Sequence, residues 1–98
     1  MPNATQFLIT FVLKPDRISD FQTMLATVKT DLPNVDGCQS VRIFQHDADA
    51  QNTFTLLETW DTKLLHQAHV ARLQESGDWG AIEAMLATPP NGHYMQAL

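Results

Sequence analysis

Cys38 is the only cysteine in the 98-residue chain, so neither an internal disulfide nor an all-cysteine metal site can form. Positive charge is equally sparse. The six Lys and Arg stand apart at Lys14, Arg17, Lys29, Arg42, Lys63 and Arg72, and no basic stripe exists that could neutralise a run of phosphates. Nucleic acid and anionic membrane are therefore excluded as expected partners. No apolar run approaches the ~20 residues of a membrane span, and the opening MPNATQ lacks the charged start and apolar core of a signal peptide. A cytoplasmic location is the expectation. A glycine-rich nucleotide loop, a nucleophile elbow and a flavin fingerprint are all missing, so no cofactor and no metal is expected.

What remains is the composition of a globular protein: 44% hydrophobic, with two Trp and five Phe. The net charge of −5 mainly aids solubility. One domain spanning residues 1–98 is expected. A lone domain of this size buries only slightly more than about 60% of the surface that its unfolded chain exposes, so its core is thin unless a partner thickens it.

Residues 5 to 13, TQFLITFVL, read as a strand. Phe7, Ile9, Phe11 and Leu13 take one face, and Leu8, Thr10 and Val12 the other. Because both faces are largely apolar, both should be covered. Asp16 is placed as the N-cap of a helix whose apolar face is Ile18, Phe21, Leu25, Val28 and Leu32. Pro33, Asn34, Asp36 and Gly37 end it. A second strand follows over 38 to 47, with Val41 and Ile43 on one face and Arg42, Phe44 and His46 on the other. The short polar loop DADAQN leads to a third strand over 53 to 60, which predicts an antiparallel hairpin. Cys38 is read as a small packing residue in preference to a reactive thiolate. After a second helix to about Glu75, Asp78 is expected to cap a short third helix with Trp79, Ile82 and Leu86 buried and Met85 at their flank. Pro89 and Pro90 stop it, and NGHYMQAL closes the chain as a last strand. The order strand, helix, strand, strand, helix, strand predicts an α+β, ferredoxin-like βαββαβ architecture. Its antiparallel four-stranded sheet carries both main helices on one face. The bare face predicts a homodimer in which two sheets close a barrel.

The stretch FTLLETWDTKLLHQAH, residues 54 to 69, concentrates the chemistry. Glu58 and Trp60, at i and i+2 of a strand, point to the same face. Asp61 and Thr62 offer helix-capping oxygens. With Leu64, Leu65, Ala68 and Ala71 as the buried stripe of the helix, His69 falls on its margin and His66 turns towards solvent. Glu58, Trp60 and His69 are the candidate catalytic residues, because titratable groups gathered beside a large aromatic are the usual makings of a site. Phe44, Trp79 and Tyr94 are candidate aromatic contacts to a flat substrate. Trp79 also reads as core. A metal held by His66, His69 and Glu58 is disfavoured, because the wheel parts the two imidazoles and no familiar ligand motif is completed.

The run VLKPDRISDF, the turn DGC, the pattern LLETW with His69 nine positions after Trp60, and the end LATPPNGHYMQAL together resemble the antibiotic biosynthesis monooxygenase family over nearly the whole chain. The resemblance implies a dimeric α+β barrel with a small-molecule pocket between sheet and helices in each subunit. It also implies oxygenation of a quinol or polyphenol by molecular oxygen without flavin, haem or metal. Haem degradation, known in one branch, is discounted, because the strand-1 Asn of that branch has its place near Leu8 here.

Three functions compete. In a monooxygenase, His69 would take the phenolic proton and Glu58 would orient the imidazole or relay the proton. In an isomerase the same pair would act as acid and base without oxygen, and Arg42 would contact a phosphate. In a non-catalytic dimer the pocket would simply hold a metabolite.

Overall fold

The computed structural model describes residues 4–98. Its elements are β1 (Thr5–Val12), α1 (Ile18–Asp31), β2 (Cys38–Gln45), β3 (Thr53–Trp60), α2 (Lys63–Ser76), α3 (Asp78–Glu83) and β4 (Asn91–Met95). The strands form one sheet in the order β2-β3-β1-β4 with every neighbouring pair antiparallel, the predicted ferredoxin-like α+β arrangement. No helix among the described residues is long and apolar enough to cross a membrane.

Alternation along β1 decides where the core sits. Ile9 and Phe11, with Leu13 just beyond the strand, face the helices and are buried with Phe54 and Leu56 of β3 and Phe21 and Leu25 of α1. A second cluster gathers Leu32 and Cys38 against Trp60, which is completely buried at 0% exposure. Cys38 is thus a packing residue, and burial pushes its thiol pKa up, with Glu58 adding to the shift. The opposite sheet face carries Leu8 paired with Leu57 and Thr10 paired with Thr55. There Leu8, Val12 and Leu57 are half-buried, while Phe44 and Met95 are exposed.

Several boundaries differ from the sequence reading. Pro15–Arg17 forms a 3-10 turn, so α1 begins at Ile18 and Asp16 makes no cap; Arg17 Nε instead bonds Asp20 Oδ2 at 3.0 Å. Asp78 is the first residue of α3, whose cap position is Gly77. That helix ends at Glu83, so Met85 and Leu86 are buried beyond it. Leu86 bridges to Leu13, and the amide of Lys14 donates to the carbonyl of Met85 at 2.9 Å.

The largest correction concerns α2. Leu64 is 74% exposed, and Ala68 and Ala71 are exposed as well. The inward line is Leu65, His66, His69, Val70 and Leu73, with His66 only 3% exposed. Its phase follows from the start of the helix. Thr62 Oγ1 accepts from the amide of Leu65 at 3.1 Å, and the amide of Asp61 donates to the carbonyl of Gly37 at 2.7 Å. These bonds set Leu65 against the turn before β2. Gly37 has φ +88°, and a Cβ there would stand 2.6 Å from Leu65 Cδ1. Hydropathy alone misplaces the stripe because its centre is an imidazole and its margin includes two alanines.

Gly77 shares the left-handed conformation, at φ +87°, but has open space around it. Gly77→Ala should therefore cost only the backbone term, about 1–2 kcal/mol. Gly37→Ala should lower Tm by several degrees more, because Leu65 must also move. Equal losses in thermal unfolding would show that the turn and α2 are not coupled.

Candidate functional site

Strand register assembles the site from three parts of the chain. Phe7 pairs with Glu58 on one side and Tyr94 on the other, and Val41 pairs with Glu58, so these residues form one row across the sheet. The row faces the helices. Gly92 leaves the space that the Phe7 ring occupies, since a Cβ there would lie 2.7 Å from Phe7 Cζ. Between this face and the helices lies a cavity of about 480 Å³, in the size range of small-molecule sites. Apolar side chains dominate its wall: Phe7 and Leu56 from the sheet, Val28 from α1, Val70 from α2 and Trp79 from α3. Asp31 and Asp78, both exposed, mark its rim.

The polar groups of the wall are concentrated at Glu58, His66 and His69. Glu58 is only 7% exposed and accepts a hydrogen bond from Trp60 Nε1 at 2.9 Å. His66 Nε2 lies 3.9 Å from Glu58 Oε1, and His66 Nδ1 is 2.6 Å from the Tyr94 hydroxyl. The imidazole is held by packing as well: its centroid is 4.1 Å from that of Phe7 and 5.2 Å from that of Trp60, which it meets edge-on. His69 lies beside the indole with centroids 5.3 Å apart and planes inclined by 33°.

Glu58, His69 and Trp79 line the cavity. Trp60 does not; it lies beneath the wall and holds Glu58 from behind. Tyr94 meets the site through His66, not as a wall of the cavity. Arg42 and Phe44 are corrections, because even alternation on β2 turns both to the opposite sheet face, where the guanidinium lies 5.2 Å over the Phe44 ring. His66 is the residue that hydropathy missed, and the imidazole nearest Glu58 is His66, not His69. Phasing α2 from its Thr62 cap would have found it, since His66, His69, Val70 and Leu73 then form one three-and-four ladder. Among the described residues no group of three His, Cys, Asp or Glu is arranged to hold a metal ion.

Burial governs the electrostatics. It pushes the Glu58 carboxyl above the ordinary glutamate range, against the smaller pull of the Trp60 hydrogen bond. Burial, aided by neighbouring His69, lowers His66 to about 4. His69 is lowered for the same first reason, with Arg72 adding to it. At neutral pH both imidazoles are therefore uncharged. Tyr94 is raised, mainly by burial, and remains a phenol.

Ring NMR should accordingly show His66 titrating near pH 4. Stability is linked in the corresponding direction. The folded value lies below the unfolded one of about 6.5, so His66 contributes stability that is complete above pH ~6.5 and lost as pH falls through about 4. The fall in Tm across that window should be shallower in His66→Gln. A midpoint near 6.5 for His66 would contradict the buried environment.

A family model described as antibiotic biosynthesis monooxygenase matches residues 7–84. No curated protein matches the sequence. Among solved structures, a Bordetella bronchiseptica protein provisionally named an antibiotic biosynthesis monooxygenase aligns with TM-score 0.80 and 21% identity over 99% of each chain. Rv0793 from Mycobacterium tuberculosis aligns with TM-score 0.82 and 19% identity over 98% of this chain and 96% of its own. A mutant of SnoaB, a cofactor-independent oxygenase from Streptomyces nogalater, aligns with TM-score 0.79 and 12% identity, covering 98% and 94%. At such identities the structural matches speak for the fold. The family model spans most of the chain, and on that match this protein belongs to the antibiotic biosynthesis monooxygenase family.

Proposed function

We propose that this protein is a cofactor-independent monooxygenase that oxidises a small aromatic quinol or polyphenol with molecular oxygen. The observation that carries the reading is a mainly apolar cavity whose wall holds one buried, hydrogen-bonded carboxyl, Glu58, together with the uncharged imidazoles of His66 and His69. The likeness to SnoaB, a cofactor-independent oxygenase, supports it. Overall, one quinol and one dioxygen give one hydroxyquinone and one water. The quinol loses four electrons and dioxygen gains them.

Ground-state dioxygen is a triplet and reacts slowly with a closed-shell phenol, whereas the phenolate can give up one electron. Glu58 takes the phenolic proton, because its raised pKa brings it closer to a neutral operating pH. The anion passes one electron to dioxygen, and the two radicals combine to form a carbon–oxygen bond. Glu58 then returns its proton to the peroxide. Loss of water, which takes the ring hydrogen of that carbon with the outer oxygen, leaves the new carbonyl. Moving the base from His69 to Glu58 follows from environment: His69 has a lowered pKa and lies beside Trp60, where it shapes the wall and can accept a hydrogen bond from substrate. Trp60 keeps the carboxylate in place.

The charge of the wall favours an uncharged ring. Among the described residues lining the cavity there is no Lys or Arg, while Asp31 and Asp78 stand at its rim. A phosphorylated isomerase substrate would therefore be desolvated without a counter-charge. Arg42, the cation expected to serve it, faces the other way.

We also assign the open sheet face to a second copy of this chain, with no metal or organic cofactor taking part in catalysis and a cytoplasmic setting for the enzyme. Leu8, Val12, Leu57, Phe44 and Met95 give that face an apolar surface that a facing sheet would cover.

On an oxygen electrode with a quinol, Glu58→Gln should lower turnover by about 10²–10⁴ with little change in KM. The amide oxygen can still accept from Trp60. His69→Ala should act mainly on KM. A folded Glu58→Gln enzyme of undiminished rate would overturn the mechanism, and ligand binding without oxygen uptake in the unaltered protein would favour the non-catalytic reading. In sedimentation the chain should run at about twice its 11.0 kDa mass, and Leu57→Lys should shift it towards monomer. A stable monomer at micromolar concentration would remove the barrel.

A further inference from the structure

Tyr94 is unusual among the aromatics of this face because its hydroxyl ends on a buried imidazole. The 2.6 Å contact to His66 Nδ1 links β4 to α2, elements far apart in the chain. An uncharged imidazole carries a single ring proton, and its position depends on which nitrogen has the better acceptor or donor beside it. At Nδ1 the neighbour is a phenol. At Nε2 it is the Glu58 carboxyl, 3.9 Å away, a stronger acceptor when ionised.

We propose that Tyr94 is a positioning residue that fixes the tautomer of His66: its hydroxyl donates to Nδ1, which leaves the ring proton on Nε2, directed at Glu58 and the cavity. His66 is then a neutral hydrogen-bond donor beside the reacting oxygen. It would stabilise the phenolate as Glu58 takes the proton, without itself changing protonation state. A neutral imidazole suits this task better than an imidazolium, which would be neutralised by the carboxylate it faces. The surroundings agree. Tyr94 has a raised pKa and so keeps its proton to donate, and Lys63 Nζ lies 4.6 Å over its ring. The charged or titratable groups facing His66 are Glu58 on β3, Tyr94 on β4 and His69 on its own helix. Phe7, 4.1 Å from the His66 ring and 5.1 Å from the Tyr94 ring, keeps the pair in register.

The role in catalysis rests on the monooxygenase reading above, but the tautomer itself does not, and the experiment separates the two. In nitrogen-15 NMR at neutral pH, His66 should show a protonated Nε2 and an unprotonated, hydrogen-bonded Nδ1. Tyr94→Phe keeps the ring between Phe7 and Lys63 and removes only the hydroxyl, so folding should be preserved. In that variant the His66 signals should move towards a mixture of tautomers, and kcat on a quinol should fall about 10-fold or more with KM nearly unchanged. A protonated Nδ1 in the unaltered protein, a measurement that needs no variant, would overturn the proposal. So would a tautomer unchanged in Tyr94→Phe. If the tautomer moves as expected but no quinol is oxidised by the unaltered protein, the positioning role stands and the monooxygenase reading fails.

Discussion

The hydrogen bond from Trp60 Nε1 to Glu58 Oε1 is the constraint on which the site depends. It joins two residues of one strand, both facing the helices, inside a region that water barely reaches. A buried carboxylate without such a donor would carry the full cost of its desolvation. With it, Glu58 stays in place while burial keeps its pKa high. The indole also fills the core cluster of Leu32 and Cys38 and stands against both His66 and His69. Truncating a buried Trp costs about 3–5 kcal/mol, a large fraction of what a domain of this size has to lose. One side chain therefore holds both the core cluster and the Glu58 carboxyl in place, and the two cannot be parted by removing it.

The rest of the site follows from how closely the sheet and helices approach. Gly37 admits Leu65 and so sets the rotation of α2, while Gly92 admits Phe7 and so sets the ring on which His66 rests. Neither glycine touches the cavity's polar groups in a chemical role. Each removes a Cβ that would push an aromatic or a leucine away, and with it the imidazole or carboxylate behind. The site is thus held by packing at a distance as much as by its own hydrogen bonds.

Much of this was legible in the sequence. Period-two alternation in TQFLITFVL and LLETW places Glu58 and Trp60 on one face and sorts the strand residues into two sets, and the apolar ladder of Phe21, Leu25, Val28 and Leu32 places α1. The four-stranded order and the family resemblance followed from these elements and from the turns between them. What failed was the phase of α2. A helix whose inward line contains His66 and His69 has little hydropathy contrast, so Leu64 and two alanines read as core in the sequence. Its true rotation is fixed by a backbone bond between Asp61 and Gly37 and by a missing Cβ, both tertiary facts. For Arg42 and Phe44 alternation gives the shared face, but which face meets the pocket depends on where the helices pack, and side-chain chemistry suited to a ligand does not decide it. The link from Tyr94 to His66 depends on strand register across β1, which no single segment reveals.

Burial raises the Glu58 carboxyl above the ordinary glutamate range, and the proposed role as a base rests on that shift. A carbon-13 NMR titration of its side-chain carboxyl, in the unaltered protein without ligand, tests this most directly. An apparent pKa above the ordinary glutamate value, matching the acid limb of the pH profile of kcat/KM, is the expected result. A carboxyl that titrates at or below the ordinary value would contradict it, because the hydrogen bond from Trp60 would then outweigh burial and Glu58 would be too weak a base for the role assigned to it.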